Sequence, residues 1–143
     1  MPSWRCVNVP PLGDTRGGLA VYEGRKDIPF DIRRIFFLYD LPKNSSRGHH
    51  AHKQQDEAVI CVQGRCSALL DDGVSQERLV LDSACKALYI PPMVWLVLDD
   101  FEPGTILAAV TSDLYDETDY VRDYAVFRSM VKAKREGRRD AVA

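Results

Sequence analysis

The sequence predicts an all-β fold, a small barrel or jelly roll of short strands closed by one C-terminal helix, and three observations carry that expectation. Apolar runs of strand length are interrupted by turn residues about every 8 to 15 positions, the spacing of a sandwich or barrel. Sharp turns are marked at Gly64 and at Asp72-Gly73, where the chain must visit positive φ and glycine does so at little steric cost. Helical spacing of apolar residues is confined to the end, where Tyr120, Tyr124, Phe127 and Val131 follow the capping candidates Asp116 and Thr118.

Taken in order, the expected strands are Arg5 to Val9, Gly18 to Glu23, Arg33 to Asp40, His49 to Lys53 and Glu57 to Val62, then Arg65 to Asp71, Glu77 to Leu81, Ala87 to Ile90, Val94 to Leu98 and Thr105 to Thr111. Gly64 separates the fifth from the sixth. Asp72-Gly73 joins the sixth to the seventh as a hairpin, because Asp-Gly between two apolar runs is a strong signal for a tight turn. The helix starting near Thr118 is expected to lay its apolar face on the outside of the β body. No internal repeat is visible, so residues 1–131 are read as one domain and residues 132–143 as a basic tail.

Length and composition narrow the functional classes. A chain of 143 residues can bury roughly two thirds of its unfolded surface without a disulfide scaffold. Its four cysteines, Cys6, Cys61, Cys66 and Cys85, form neither a CxxC pair nor a zinc-finger spacing, and are read as reduced, packed thiols. The first residues lack an apolar signal-peptide core and no apolar run approaches the ~20 residues of a membrane helix, so a cytoplasmic protein with no membrane partner is expected. A net charge of −2 argues against a nucleic-acid surface. The basic cluster Lys132, Lys134, Arg135, Arg138 and Arg139 has no interleaved aromatic platform and reads as a solvated tail.

All three histidines fall in Arg47-Gly48-His49-His50-Ala51-His52-Lys53. Histidine is the side chain whose ordinary pKa lies nearest neutrality, so this clustering points to proton carriers or metal ligands. Alternation along a strand sends His50 and His52 to one face and turns His49 and Ala51 to the other. Glu57 can join the pair from the next strand.

The spacing His50-x-His52, four residues, Glu57, six residues, Gly64 resembles the first motif of the cupin superfamily, whose small β-barrels or jelly rolls place such residues in the barrel mouth. The second cupin motif would fall at Tyr89-Ile90-Pro91-Pro92-Met93-Val94-Trp95-Leu96, and it contains no histidine. A four-ligand, nitrogen-rich metal site is therefore excluded. His50, His52 and Glu57 could still hold a divalent ion as two imidazoles and a carboxylate.

A narrower resemblance spans nearly the whole chain. Asp14-Thr15-Arg16-Gly17-Gly18-Leu19, Ile28-Pro29-Phe30-Asp31-Ile32-Arg33-Arg34, the histidine segment, Ile60-Cys61-Val62-Gln63-Gly64, Leu88-Tyr89-Ile90-Pro91-Pro92 with Trp95, and Tyr115-Asp116-Glu117-Thr118-Asp119-Tyr120-Val121-Arg122-Asp123-Tyr124 resemble the dTDP-4-keto-6-deoxyglucose 3,4-ketoisomerases. The resemblance implies a cofactor-free, metal-independent homodimer, its N-terminal strands exchanged between subunits, that moves a keto group from C4 to C3 of a dTDP-linked sugar on the route to 3-amino-3,6-dideoxy sugars. It implies His50 and His52 as the catalytic pair, with His50 assigned as the carbon base, and Tyr39 as a handler of the hydroxyl proton. Arg16 and Arg47 are candidates for the diphosphate, since a guanidinium fork binds phosphate oxygens in a bidentate way. Trp95 is a candidate wall of the pocket. Two positions depart from the pattern: Leu96 stands where a polar residue, often arginine, follows the tryptophan, and Glu57 where an amide is common.

Overall fold

The computed structural model describes residues 2–142. Its strands are β1 (Arg5–Asn8), β2 (Leu12–Asp14), β3 (Gly17–Leu19), β4 (Arg34–Leu38), β5 (Arg47–His52), β6 (Glu57–Gln63), β7 (Cys66–Asp71), β8 (Gln76–Leu81), β9 (Lys86–Ile90), β10 (Trp95–Asp99), β11 (Ile106–Thr111) and β12 (Tyr120–Val121), followed by helix α1 (Tyr124–Val142). Two five-stranded sheets, ordered β1-β9-β6-β11-β4 and β12-β5-β10-β7-β8, face each other, and β2-β3 stands apart as a hairpin. This is the jelly roll that the punctuated sequence predicts. No described helix is long and apolar enough to cross a membrane.

Side-chain alternation divides each sheet into an inner and an outer face. Val59, Cys61, Leu88, Ile90, Leu107 and Ala109 from the first sheet meet Cys66, Ala68, Leu70, Leu96 and Leu98 from the second, with Trp4, Leu81 and Phe101 filling the ends. Cys61 and Cys66 are free thiols used as small apolar residues in this core. The outer face of the first sheet is covered in part by Ile28 and Phe30, which pack on Ala58, Ile60, Ala87 and Val110. The outer face of the second is covered by α1, which sets Phe127 and Val131 against Ala51, Trp95 and Val121.

The turns follow their residues. Gly64 has φ +83°, and a Cβ there would lie 2.4 Å from the Thr105 hydroxyl oxygen, so the β6–β7 turn requires glycine. At the β7–β8 hairpin the Asp72 carboxylate accepts from the backbone N–H groups of Val74 and Ser75, and Gly73 takes φ +89°.

The C-terminal region departs from the sequence reading. Helix α1 begins at Tyr124, later than Thr118, because Asp123 is its cap and accepts from the Val126 N–H at 3.1 Å. Asp116 caps a separate 3₁₀ turn, Glu117–Asp119, and Tyr120 then enters β12. A period of four between Tyr120 and Tyr124 predicts one continuous helix, but two short caps in series, Asp116 and Asp123, break it. The basic segment after Val131 is more helix instead of an irregular tail, with its described side chains exposed; residues 139–143 of the expected tail lie outside the described side chains. The expected strand Gly18 to Glu23 contracts to β3, which pairs with the unexpected β2.

Candidate active site

A cavity of about 420 Å³ opens at one end of the sandwich between β4, β5, β6 and β10. Phe36, Leu38, Leu96 and Leu98 make its apolar walls; Arg47, His49, His50, Glu57, Tyr120 and Arg122 supply its polar groups. Another hollow, about 370 Å³, lies beside α1 at Gly73 and is bordered by Arg128, Lys132, Arg135 and Glu136, with no converging buried acid or base.

The local backbone of β5 explains how so many groups reach one cavity. Its pairing with β10 slips at a bulge: Leu96 pairs with His50, but Val97 pairs with Gly48, leaving His49 as the extra residue. Gly48 takes φ +92° and His49 φ +56°, both left-handed. A Cβ on Gly48 would meet the Leu96 carbonyl oxygen at 2.6 Å, so only glycine fits. Strict alternation would put Arg47 and His50 on opposite faces. The added residue restores both to the cavity, and it also brings His49 to the rim, where its Nε2 lies 2.8 Å from the Ser46 hydroxyl. His49 is therefore not turned away, as uninterrupted alternation implied.

His50 and His52 meet edge to face, with ring centroids 4.9 Å apart. His50 Nδ1 lies 3.0 Å from the Gly48 carbonyl oxygen. A carbonyl only accepts, so Nδ1 carries the proton and Nε2 keeps its lone pair. His52 sits deeper, 6% exposed, with Nδ1 at 3.2 Å from Asp119 Oδ2 and Nε2 at 3.2 Å from the Gln55 side-chain nitrogen. Burial lowers the pKa of both rings, and for His52 the neighbouring His50 lowers it further while Asp119 opposes. The shift favours the neutral form of both rings. Glu57 is 5% exposed, and burial pushes its carboxyl up to about 7 against the pull of the Arg34 cation. One of its oxygens is 3.9 Å from His52 Nε2. A ligand atom from each of His50, His52 and Glu57 lies within 4.8 Å of the others, close enough to hold a divalent ion.

Tyr120 stacks against both histidines, at 5.0 Å from His50 and 4.3 Å from His52. Arg122 lies over the Tyr120 ring at 4.2 Å and donates to Glu117 at 2.7 Å and 3.0 Å. The Arg122 guanidinium, with the Tyr115 hydroxyl, holds the Glu117 carboxyl down at about 2.

The family model described as FdtA, WxcM-like, C-terminal matches residues 3–132. The chain belongs to the FdtA family. A TDP-4-oxo-6-deoxy-α-D-glucose-3,4-oxoisomerase of Aneurinibacillus thermoaerophilus is 37% identical over 127 residues, 89% of this chain and 91% of that protein. The crystal structure of a 3,4-ketoisomerase from Helicobacter canadensis superposes with a TM-score of 0.88 at 35% identity, covering 91% of this chain and 98% of the other. A mutant of the 3,4-ketoisomerase QdtA from Thermoanaerobacterium thermosaccharolyticum, in complex with TDP-4-keto-6-deoxyglucose, gives 0.90 at 32% identity over 93% and 96%. The cupin-like jelly roll is thus common to this FdtA-family chain and these enzymes.

Within the FdtA-family chain the residues expected from sequence divide into two groups. His50, Glu57 and Arg47 line the cavity, and His52 stands directly behind His50. Tyr39, Arg16 and Trp95 do not line it. Tyr39 is 67% exposed on the outer face of the first sheet, because alternation along β4 points Arg34, Phe36 and Leu38 inward and Ile35, Phe37 and Tyr39 outward. Trp95 is 6% exposed beneath α1, packed on Tyr124 and Phe127, while its neighbour Leu96 faces the cavity. Arg16 is on the exposed β2–β3 hairpin, paired with Asp14. Tyr120, Arg122, Asp119 and Arg34 are site residues that the sequence reading missed. The segment that holds three of them was visible as a motif, but its apolar residues were assigned to a helix face.

Proposed function

We propose that this chain is a TDP-4-keto-6-deoxyglucose 3,4-ketoisomerase, converting the 4-keto sugar to its 3-keto isomer in the formation of 3-amino-3,6-dideoxy sugars. The observation that carries the reading is His50: a neutral imidazole with a free Nε2 in a cavity whose rim bears the cations Arg47 and Arg122. The relatives named above, which match nearly the full chain, support the substrate class.

The chemistry needs no redox partner. The C4 ketone acidifies the hydrogen on C3, and His50 Nε2 takes that proton while the electron pair forms the C3=C4 bond of an enediolate. The C4 oxygen gains a proton, the C3 hydroxyl loses its own as the C3 ketone forms, and C4 receives a proton. Tyr120, against both imidazoles, is placed to pass the hydroxyl protons, the role first given to Tyr39. Arg47 and Arg122 bind the diphosphate. The apolar walls keep water from competing and strengthen each charge contact.

Incubation with TDP-4-keto-6-deoxyglucose in deuterated water tests this: a 3-keto product with deuterium at the sugar carbons is expected, and neither appearing would refute it. A metal-dependent cupin built on His50, His52 and Glu57 is the second reading, favoured by the mutual proximity of their ligand atoms. A stoichiometric iron, nickel or manganese required for turnover would select it.

The working unit is proposed to be a homodimer. Leu12 and Leu19 on the hairpin are 47% and 56% exposed, and Ile35, Phe37 and Tyr39 form an apolar stripe at 55%, 53% and 67%. A stripe of this kind on an edge strand favours pairing with a second copy. In that dimer the hairpin crosses to the partner and carries Arg16 toward its cavity. Sedimentation should return twice the mass of the chain.

A further inference from the structure

We propose that Arg34, Gln55 and Asp119 form a positioning relay that fixes His52 in its Nδ1–H tautomer, so that His50 is the only ring of the pair with a free lone pair toward the cavity. The proposal deepens the ketoisomerase reading and rests on it.

Donor and acceptor chemistry fixes each contact around the His52 ring. The Arg34 side chain, anchored by Nε on the Thr111 hydroxyl at 3.2 Å, reaches Gln55 Oε1 with Nη2 at 3.4 Å. A guanidinium has no acceptor, so it turns the Gln55 oxygen toward itself and the amide nitrogen toward His52. That nitrogen lies 3.2 Å from His52 Nε2 and can only donate, so Nε2 must accept. At the other side of the ring, Asp119 Oδ2 is 3.2 Å from Nδ1, and a carboxylate only accepts, so Nδ1 carries the proton. The two ends of the relay demand the same tautomer independently. Gln55 is 3% exposed and His52 6%, which leaves little room for water to take either partner's place.

Asp119 is itself held. Its Oδ1 accepts from the Gln54 N–H at 2.8 Å and its Oδ2 from the Gln55 N–H at 3.2 Å. One carboxylate thus anchors both the ring and the backbone of the residue that caps the ring's far side. The chemical result is a division of labour. With both nitrogens engaged, His52 is not the carbon base. It stands against His50 as an oriented, uncharged ring and places no full positive charge beside the nitrogen that must take a proton.

Long-range ¹H–¹⁵N correlation on uniformly labelled protein reads the ring nitrogens directly. In the wild type, His52 is expected to show a protonated Nδ1 and an unprotonated Nε2. Gln55→Glu, which keeps the Arg34 partner but offers an acceptor to Nε2 while Asp119 still accepts from Nδ1, should add a proton at Nε2, and Asp119→Asn, which can turn an amide N–H toward Nδ1, should deplete the proton on Nδ1. Each should lower kcat by about 10- to 100-fold, as loss of such supporting hydrogen bonds does, with KM changed less than about threefold. Asp119→Glu should recover part of the rate. A wild-type His52 protonated at Nε2, or Gln55→Glu with wild-type kcat, overturns the proposal. Failure of the wild type to turn over its substrate would overturn the function instead, since the ring-nitrogen spectrum decides the tautomer by itself.

Discussion

His50 and His52 are two positions apart and chemically identical, yet the fold gives them unequal surroundings. His50 touches the cavity and has one protein hydrogen bond; His52 is buried with partners on both nitrogens. His50→Asn is therefore expected to reduce turnover by about 10²- to 10⁴-fold, the usual worth of a positioned base, with unfolding free energy changed by less than about 1 kcal/mol. His52→Asn should lose rate and also about 1–3 kcal/mol, because Asp119 and Gln55 are left poorly matched in a dry site. Urea unfolding of both variants checks the contrast. Glu57 gives a pH prediction. Its carboxyl moves from the ordinary 4.5 to about 7 on folding, so the folded state binds more protons across that window. Stability from this group is present at low pH and falls as pH rises through about 7, by on the order of 3 kcal/mol in total. The depressed histidines act in the opposite sense, losing stability below their ordinary pKa, but they are common to wild type and Glu57→Gln. Relative to wild type, Glu57→Gln should therefore be more stable at pH 8 than at pH 5; an unchanged difference in urea midpoints would refute the assignment. The histidine pair was legible because alternation is local. Arg34 and Asp119 were not, because their pairing with Gln55 and His52 depends on sheet order and on a carboxylate 64 residues from Gln55 in sequence.

Elements were legible in proportion to how much of their stability is encoded locally. The β7–β8 hairpin was predicted from Asp72-Gly73 because the turn chemistry lies in two adjacent residues. The start of α1 was misplaced because Asp116, Thr118 and Asp123 are all competent caps, and the choice among them is made by β12 pairing with β5. Gly48→Ala must bear both a left-handed φ and a Cβ against the Leu96 carbonyl. A loss of about 1–3 kcal/mol is expected, together with reduced kcat as His50 shifts; thermal unfolding and steady-state kinetics read the two effects. In α1 the turn containing Phe127, which is fully buried, carries the packing, whereas residues 132–138 are exposed. Truncation after Val131 should leave the unfolding free energy from urea titration within about 0.5 kcal/mol of wild type, while Phe127→Ala should cost about 3–5 kcal/mol.

For the molecule as a whole, the jelly roll was legible from punctuation and period alone, since two-sheet burial imposes alternation on nearly every strand. What one chain's sequence could not place was Arg16, whose hairpin joins neither five-stranded sheet. If that hairpin serves a second subunit, Arg16→Ala and His50→Asn proteins, each nearly inactive, should complement when unfolded and refolded together. Equal mixing makes half of the dimers mixed, each with one intact cavity, and activity near a quarter of wild type is expected. No recovery would place Arg16 outside the partner's site.

The bulge at His49 also makes β5 a strand with two independent reading frames. Deleting that single residue would heal the ladder with β10 and leave Arg47 two positions from His50, so both would still face the cavity while the His49 ring left its rim. The bulge thus adds a side chain to the rim without turning either end of β5 out of the cavity. Removal of Ala51 would instead turn His50 and His52 to opposite faces, so the length of β5 is free to change at position 49 and fixed at position 51.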